Sequence, residues 1–230
     1  MKDVSKQYDM FPLVYREAQI DFYNCHEDIT RFFLHTRMQR VAEGAQVLDM
    51  GCGYGKDAAT LSENGFNVIG IDSSKEMIQI AREMHEALDF RVFPLSDVPF
   101  KDESFDAIFS RYAIDYLPNV SDAFVEARRV LKPGGEFNFC VNHPELMRIA
   151  RDRSSHEVVS QNLVELPVFE YQCILTKPFH KLTDFLDPVH LQFFELNWME
   201  EGKEHSKKFN VPGKSYDTPE FLVVSLRKKE

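Results

Sequence analysis

From Ala45 to Val141 the chain alternates short apolar runs with amphipathic stretches. The runs are Val47-Leu48, Val68-Ile69-Gly70-Ile71, Phe90 to Phe93, Ala107-Ile108-Phe109 and Phe137 to Val141. Strands separated by helices in this rhythm predict right-handed βαβ units on a parallel sheet. Local signals agree with that reading. Gly65 fits the stop of one helix, and Ser74 fits the N-cap of another with the stripe Met77, Ala81, Met84 and Leu88. Lys132-Pro133-Gly134-Gly135 predicts a turn into the fifth strand.

The flanks read differently. Phe11, Val14, Tyr15, Ala18 and Phe22 fall at helical spacing, and Ile29, Phe32 and Phe33 open a second helical pattern that runs to about Val41. After Asn142 the rhythm breaks. A helix is expected after Pro144, a strand over Phe169 to Thr176, and a short helix over Leu182 to Leu186. Leu191 to Trp198 and Phe221 to Leu226 read as closing strands, with Glu200 to Thr218 between them as a long surface loop suited to a lid. The expected organisation is one domain over 1–230: a helical cap at 1–44, a cofactor-binding core at 45–141, and a substrate-side insertion with closing strands at 142–230.

Length and composition then bound the function. The chain has 230 residues, 43% hydrophobic and 28% charged, enough for a full core without staples. A net charge of −10 disfavours duplex nucleic acid and anionic membranes as partners. Cys25, Cys52, Cys140 and Cys173 form no C-x-x-C pair, and the eight histidines show no H-x-x-x-H pair, so no metal site is expected. With no apolar leader or long apolar run, the expectation is a soluble cytoplasmic protein.

The densest chemical signal is Val47-Leu48-Asp49-Met50-Gly51-Cys52-Gly53-Tyr54-Gly55-Lys56. Glycines between a strand and a helix let backbone approach a ligand where a side chain would collide. The spacing is G-x-G-x-G, and Lys56 stands where a dinucleotide fingerprint wants its third glycine, which disfavours a pyrophosphate. The second strand ends Gly70-Ile71-Asp72, a carboxylate placed to accept from a ribose diol. Pro94-Leu95-Ser96-Asp97-Val98-Pro99-Phe100 follows the third strand and offers an acid for an exocyclic amine beside apolar residues that flank a ring.

Taken in order, these motifs resemble the class I S-adenosylmethionine-dependent methyltransferases, within them the type 11 small-molecule group similar to the ubiquinone and menaquinone methyltransferases. Ser104-Phe105-Asp106-Ala107-Ile108 is similar to that family's fourth strand, and Arg128 to Gly135 to its helix and turn before the fifth. The resemblance implies a Rossmann-like α/β fold: a seven-stranded, mostly parallel sheet with an antiparallel last strand and helices on both faces. It implies S-adenosylmethionine as cofactor and a cofactor set of Asp49, Gly51, Cys52, Gly53, Asp72, Ser73, Ser96, Asp97, Val98 and Arg111. The implied activity is in-line methyl transfer to a small-molecule acceptor; as to partners, a homodimer is kept open and no nucleic acid or membrane is expected.

Two stretches depart from the family's pattern. Where it often shows an apolar run ending in His after the fourth strand, this chain reads Arg111-Tyr112-Ala113-Ile114-Asp115-Tyr116; and Asn142-His143-Pro144 follows the fifth strand. If proton removal is needed, His143, Asp115 and Tyr112 are the candidates at strand ends, although a histidine before proline at a helix start also suits a structural role. Tyr8, Tyr15 and Tyr23 are candidates to close over the cofactor, and His180 and His190 for the substrate zone. Two rivals stay open: a nucleoside-binding regulator without catalysis, and a nicotinamide-dependent oxidoreductase.

Overall fold

In the computed structural model the described residues are 36–168, 173–202 and 217–230. The central sheet starts from β1 (Gln46–Met50), β2 (Asn67–Asp72), β3 (Asp89–Val92), β4 (Phe105–Arg111) and β5 (Leu131–Asn142). These five pair parallel, and the five apolar runs fall on them, with Phe93 lying one residue past β3. Between them lie α1 (Lys56–Glu63), α2 (Lys75–Met84) and α3 (Ser121–Val130). The sheet closes with β8 (Phe194–Gly202) and β9 (Phe221–Lys228) in the order β3-β2-β1-β4-β5-β9-β8, seven strands in all. β9 runs antiparallel to both its neighbours, so it is the one reversed strand.

Adjacent residues along each strand bury into opposite layers, which is why the runs are apolar without a gap. Leu48, Ile108, Phe139, Leu222 and Val224 pack with Phe124, Ala127 and Val130 of α3. Val47, Ala107, Phe109, Cys140 and Val223 pack on the other face with Ala58 and Leu61 of α1 and Ile78 and Ala81 of α2. The sheet is thereby covered on both faces, as the resemblance implies.

The local signals translate with three adjustments. Ser74 does cap α2, its hydroxyl accepting from the Met77 amide, and Gly65 follows α1 at φ +89°. The buried stripe of α2 is however Met77, Ile78, Ile80 and Ala81, while Met84 is exposed and Leu88 lies past the helix end. The Lys132 to Gly135 turn is absorbed inside β5 as a bulge: the register jumps from Phe105↔Leu131 to Ala107↔Glu136. The closing strand expected from Leu191 begins at Phe194 instead, because the Asp187 side chain accepts from the Val189 amide and caps α7 (Pro188–Leu191).

Between β5 and α7 come α4 (Pro144–Arg151), α5 (His156–Ser160), β6 (Leu163–Val168), β7 (Cys173–Pro178) and α6 (Leu182–Phe185). β6 and β7 form a separate antiparallel pair. Where one strand is expected over Phe169 to Thr176, there are two. Pro167 and Pro178 obscured them in the sequence, and a two-stranded sheet has only edges, where proline is tolerated. Residues 1–35 of the expected helical cap, with Tyr8, Tyr15 and Tyr23, and most of the expected lid lie outside the described residues.

At the carboxyl end of β5 three chain segments meet. The His143 amide donates to Glu220 O at 2.9 Å, the Glu220 amide donates to Gly202 O at 2.8 Å, and Gly202 pairs with Phe221.

Candidate active site

The strand order reverses between β1 and β4, and in open α/β sheets the crevice at such a switch point is where ligands bind. The glycine loop occupies it. The amides of Gly51 and Cys52 both donate to Ile71 O, at 2.8 and 3.0 Å, tying the loop to the end of β2. Gly51 has φ +83°, and a Cβ built there falls 2.1 Å from the Cβ of Ala113 in the turn after β4. Glycine is thus required twice over at this position, by backbone conformation and by space.

Asp72 anchors the mouth of the loop. Its two carboxylate oxygens accept from the Gly53 amide at 3.0 Å and the Ser74 amide at 2.9 Å, so the acid is held in place before any ligand arrives. Ser73 beside it is exposed. Asp49 is buried beneath the loop, and burial, then the nearby Asp57 carboxylate, push its carboxyl well above the usual range; Arg111 opposes this. Arg111 Nε is committed to Asp57 Oδ2 at 2.8 Å, a buried bolt between β4 and α1. Cys52 packs its sulfur against Gly70, and burial together with Asp49 and Asp72 pushes its thiol up, away from nucleophilic character.

After β3, Ser96 and Asp97 are exposed and Val98 is buried. What holds this loop was not read from the sequence. The Val98 amide donates to Glu126 Oε2 at 2.9 Å, and Arg129 donates to Val98 O at 2.7 Å and Phe100 O at 2.5 Å while pairing with Glu126. The i, i+3 spacing of opposite charges on α3 was the available signal, but it reads equally as a solvated face.

The acceptor candidates separate. Tyr112 sits at φ +53°, a conformation a non-glycine residue adopts at a cost, and its amide donates to Cys140 O at 2.8 Å. His143 caps α4: its Nδ1 accepts from the Glu145 amide at 3.1 Å, which assigns the ring proton to Nε2, 3.3 Å from Glu201 Oε1. A ring so committed has no lone pair to act as base. Asp115 is buried, and its Oδ2 accepts from the Asn142 amide at 3.2 Å, from Asn142 Nδ2 at 3.3 Å and from Lys177 Nζ. Lys177 comes from β7, is fully buried, and lies 4.0 Å from the centroid of the Tyr116 ring. Burial pulls its ammonium below the usual lysine range, with Asp115 opposing. His180 Nε2 lies 2.8 Å from Leu117 O on the edge of this cluster, whereas His190 stacks on Phe124 at 4.3 Å, 3.1 Å from Ser121 Oγ. Among the described residues no group of three or more His, Cys, Asp or Glu is placed to hold a metal, and no helix is long and apolar enough to cross a membrane.

A family model described as a methyltransferase domain matches residues 48–139, from within β1 to within β5, and takes in the glycine loop, Asp72 and the loop after β3. Over residues 48–139, two fifths of the chain, the match is to the class I S-adenosylmethionine-dependent methyltransferases. The demethylmenaquinone methyltransferase of Tropheryma whipplei is 39% identical to this chain over 111 residues, 47% of this chain and 46% of that protein. The malonyl-[acyl-carrier protein] O-methyltransferase of Erwinia pyrifoliae is 34% identical over 119 residues, 51% of this chain and 45% of that protein. The chain thus spans about half the length of the curated relatives it matches. In fold, a SAM-dependent methyltransferase from Methanosarcina mazei superposes with TM-score 0.68 at 20% identity, covering 84% of this chain and 96% of that one. The family's cosubstrate is S-adenosylmethionine.

Proposed function

We propose that this protein transfers the methyl group of S-adenosylmethionine to a small-molecule acceptor. The observation that carries the reading is Asp72, fixed by two backbone amides at the carboxyl end of β2 beside a loop that admits no side chain at Gly51. Those residues fit a nucleoside: Asp72 takes the ribose hydroxyls, Asp97 faces outward for the exocyclic amine, and Val98 supplies apolar surface. When bound, the cosubstrate supplies an electrophilic methyl on a sulfonium. The chain's own task is then to hold the acceptor in line and keep water away, a matter of positioning more than of acid or base strength. Asp115 replaces His143 as the proposed acceptor-side acid, because the His143 ring is spent on capping α4. A small acceptor is supported by the acidic charge of the chain and by the likeness to the Tropheryma demethylmenaquinone methyltransferase.

Thermal unfolding with S-adenosylhomocysteine and with NAD tests the reading. At a hundredfold excess over its Kd the former should stabilise by about 2.7 kcal/mol, which for a chain of this size is a rise of about 5–10 °C. NAD should leave the melting point unmoved. A rise with NAD and none with S-adenosylhomocysteine would overturn the assignment, and binding without turnover on any acceptor would favour a regulator.

A further inference from the structure

Three chain elements place polar groups in one buried cluster beside the glycine loop. Ala113, against which Gly51 packs, opens the turn that carries Asp115; Asn142 ends β5; Lys177 reaches in from the β6–β7 hairpin. Asp115 and Asn142 are each 3% exposed and Lys177 is 1% exposed. The hydrogen bonds within the cluster all converge on one oxygen, Asp115 Oδ2. Two acceptors remain over: Asp115 Oδ1 and Asn142 Oδ1 are both buried and, among the described residues, have no hydrogen-bond partner. The Asn142 amide is not free to turn and solve this, since its Nδ2 faces the carboxylate.

Buried acceptors without donors are costly, and folded proteins keep few of them outside functional sites. Here two lie in residues bonded to each other, at the carboxyl edge of the strands where the acceptor must bind. Resting on the methyl-transfer reading above, we infer that these two oxygens hold the nucleophile, and that the nucleophile is an amino group. A primary amine brings two N–H donors for two orphaned acceptors and keeps its lone pair for the methyl carbon. A hydroxyl brings one donor and would leave one oxygen unpaired. Lys177 sets the charge state: its ammonium cancels Asp115, so the cluster takes the amine in its neutral, nucleophilic form rather than as a cation. In the reaction the nitrogen lone pair forms the N–C bond as the C–S bond breaks. The breaking pair stays on sulfur as a thioether, and the proton lost from the new ammonium goes to Asp115 Oδ1. Asp115 and Asn142 are the catalytic residues of this step, and Lys177 is a positioning residue.

Sinefungin tests this without knowledge of the acceptor, because an amino-bearing carbon replaces the methyl-bearing sulfur and puts N–H donors at the transfer position. Calorimetry on the full chain should show sinefungin binding about 10-fold tighter than S-adenosylhomocysteine. Asn142→Ala should erase most of that preference while S-adenosylhomocysteine affinity holds within about two-fold. Asp115→Asn should do the same. Should Asp115→Asn not fold beside Lys177, the paired Asp115→Asn/Lys177→Met removes both charges together and reads the same loss. Equal affinity for the two ligands in the wild type, or a preference that survives both substitutions, overturns the inference and leaves the methyl-donor reading intact. A preference lost in only one of the two variants also overturns it, in favour of a nucleophile with a single donor. If S-adenosylhomocysteine itself does not bind the wild type, it is the methyl-donor reading that fails.

Discussion

Replacing Gly51 by alanine adds one methyl group to the tightest point of the site, and the structure sets the size of the effect. An alanine at φ +83° takes on left-handed strain of about 1–2 kcal/mol. Its Cβ would lie 2.1 Å from the Ala113 Cβ, where carbon atoms pack at about 3.5–4.0 Å, so the loop and the turn after β4 must separate, at a cost of about 1–3 kcal/mol. The sum is about 2–5 kcal/mol, or a fall of about 4–20 °C in melting temperature. Gly53 is the internal control: it has φ +54°, but a Cβ there meets nothing within 4 Å, so Gly53→Ala carries the strain alone. Thermal unfolding of both variants separates the two terms, and Ala113→Gly in the Gly51→Ala background should return the packing part and leave the strain. Calorimetry with S-adenosylhomocysteine should show binding lost in Gly51→Ala, because separating the loop from the turn moves the Gly53 amide that holds Asp72. If the two alanine variants are equally destabilised, or Ala113→Gly returns nothing, the close contact does not constrain the loop.

Asp72→Ala should leave a folded protein whose S-adenosylhomocysteine affinity is weaker by about 1.5–3 kcal/mol, and an unchanged calorimetric Kd would remove Asp72 from the site. Lys177→Met leaves Asp115 buried with its charge unpaired and should cost about 3–5 kcal/mol in urea unfolding, most of it recovered in the double variant with Asp115→Asn; an additive double would show that the two do not interact. Glu126 gives a pH signature. Its hydrogen bond to Arg129 holds the folded carboxyl below the 4.5 of an unperturbed glutamate, so its stabilisation is full above that value and is lost as pH falls through the lower, folded value. The stability gap between wild type and Glu126→Gln should therefore narrow below about pH 4.5, and a gap that stays constant from pH 7 to pH 3 would contradict the pairing.

The sheet was legible because its signals are local. Each strand of the parallel core is buried on both faces and so reads as an unbroken apolar run, and Gly65 and Ser74 mark helix ends through chemistry confined to one turn. The bulge at Lys132 to Gly135 read as a plain turn because its glycines are the same in either case. The candidate site divides on the same principle. Gly51 and Asp72 stand at fixed offsets from strand ends, so their places in the loop and at the end of β2 could be read in advance. Glu126, Arg129 and Lys177 act on residues 28 to 62 positions away, and nothing in their own neighbourhood announces the partner. His143 was ambiguous for a related reason: a histidine before Pro144 suits both a cap and a base, and only the direction of the Glu145 amide decides between them.

The meeting point of Asn142, Gly202 and Phe221 bears on how this protein diversifies. Because Gly202 and Phe221 are register partners, the two ends of the stretch between them lie side by side at one edge of the sheet. For a chain that joins two adjacent ends, the closure entropy grows only with the logarithm of its length, about 0.6 kcal/mol for each doubling. Insertions, deletions and whole exchanged segments at this point therefore reach the fold as a small, nearly constant charge. That makes the junction a graft site in evolutionary terms, where new chain can be tried over an unaltered sheet.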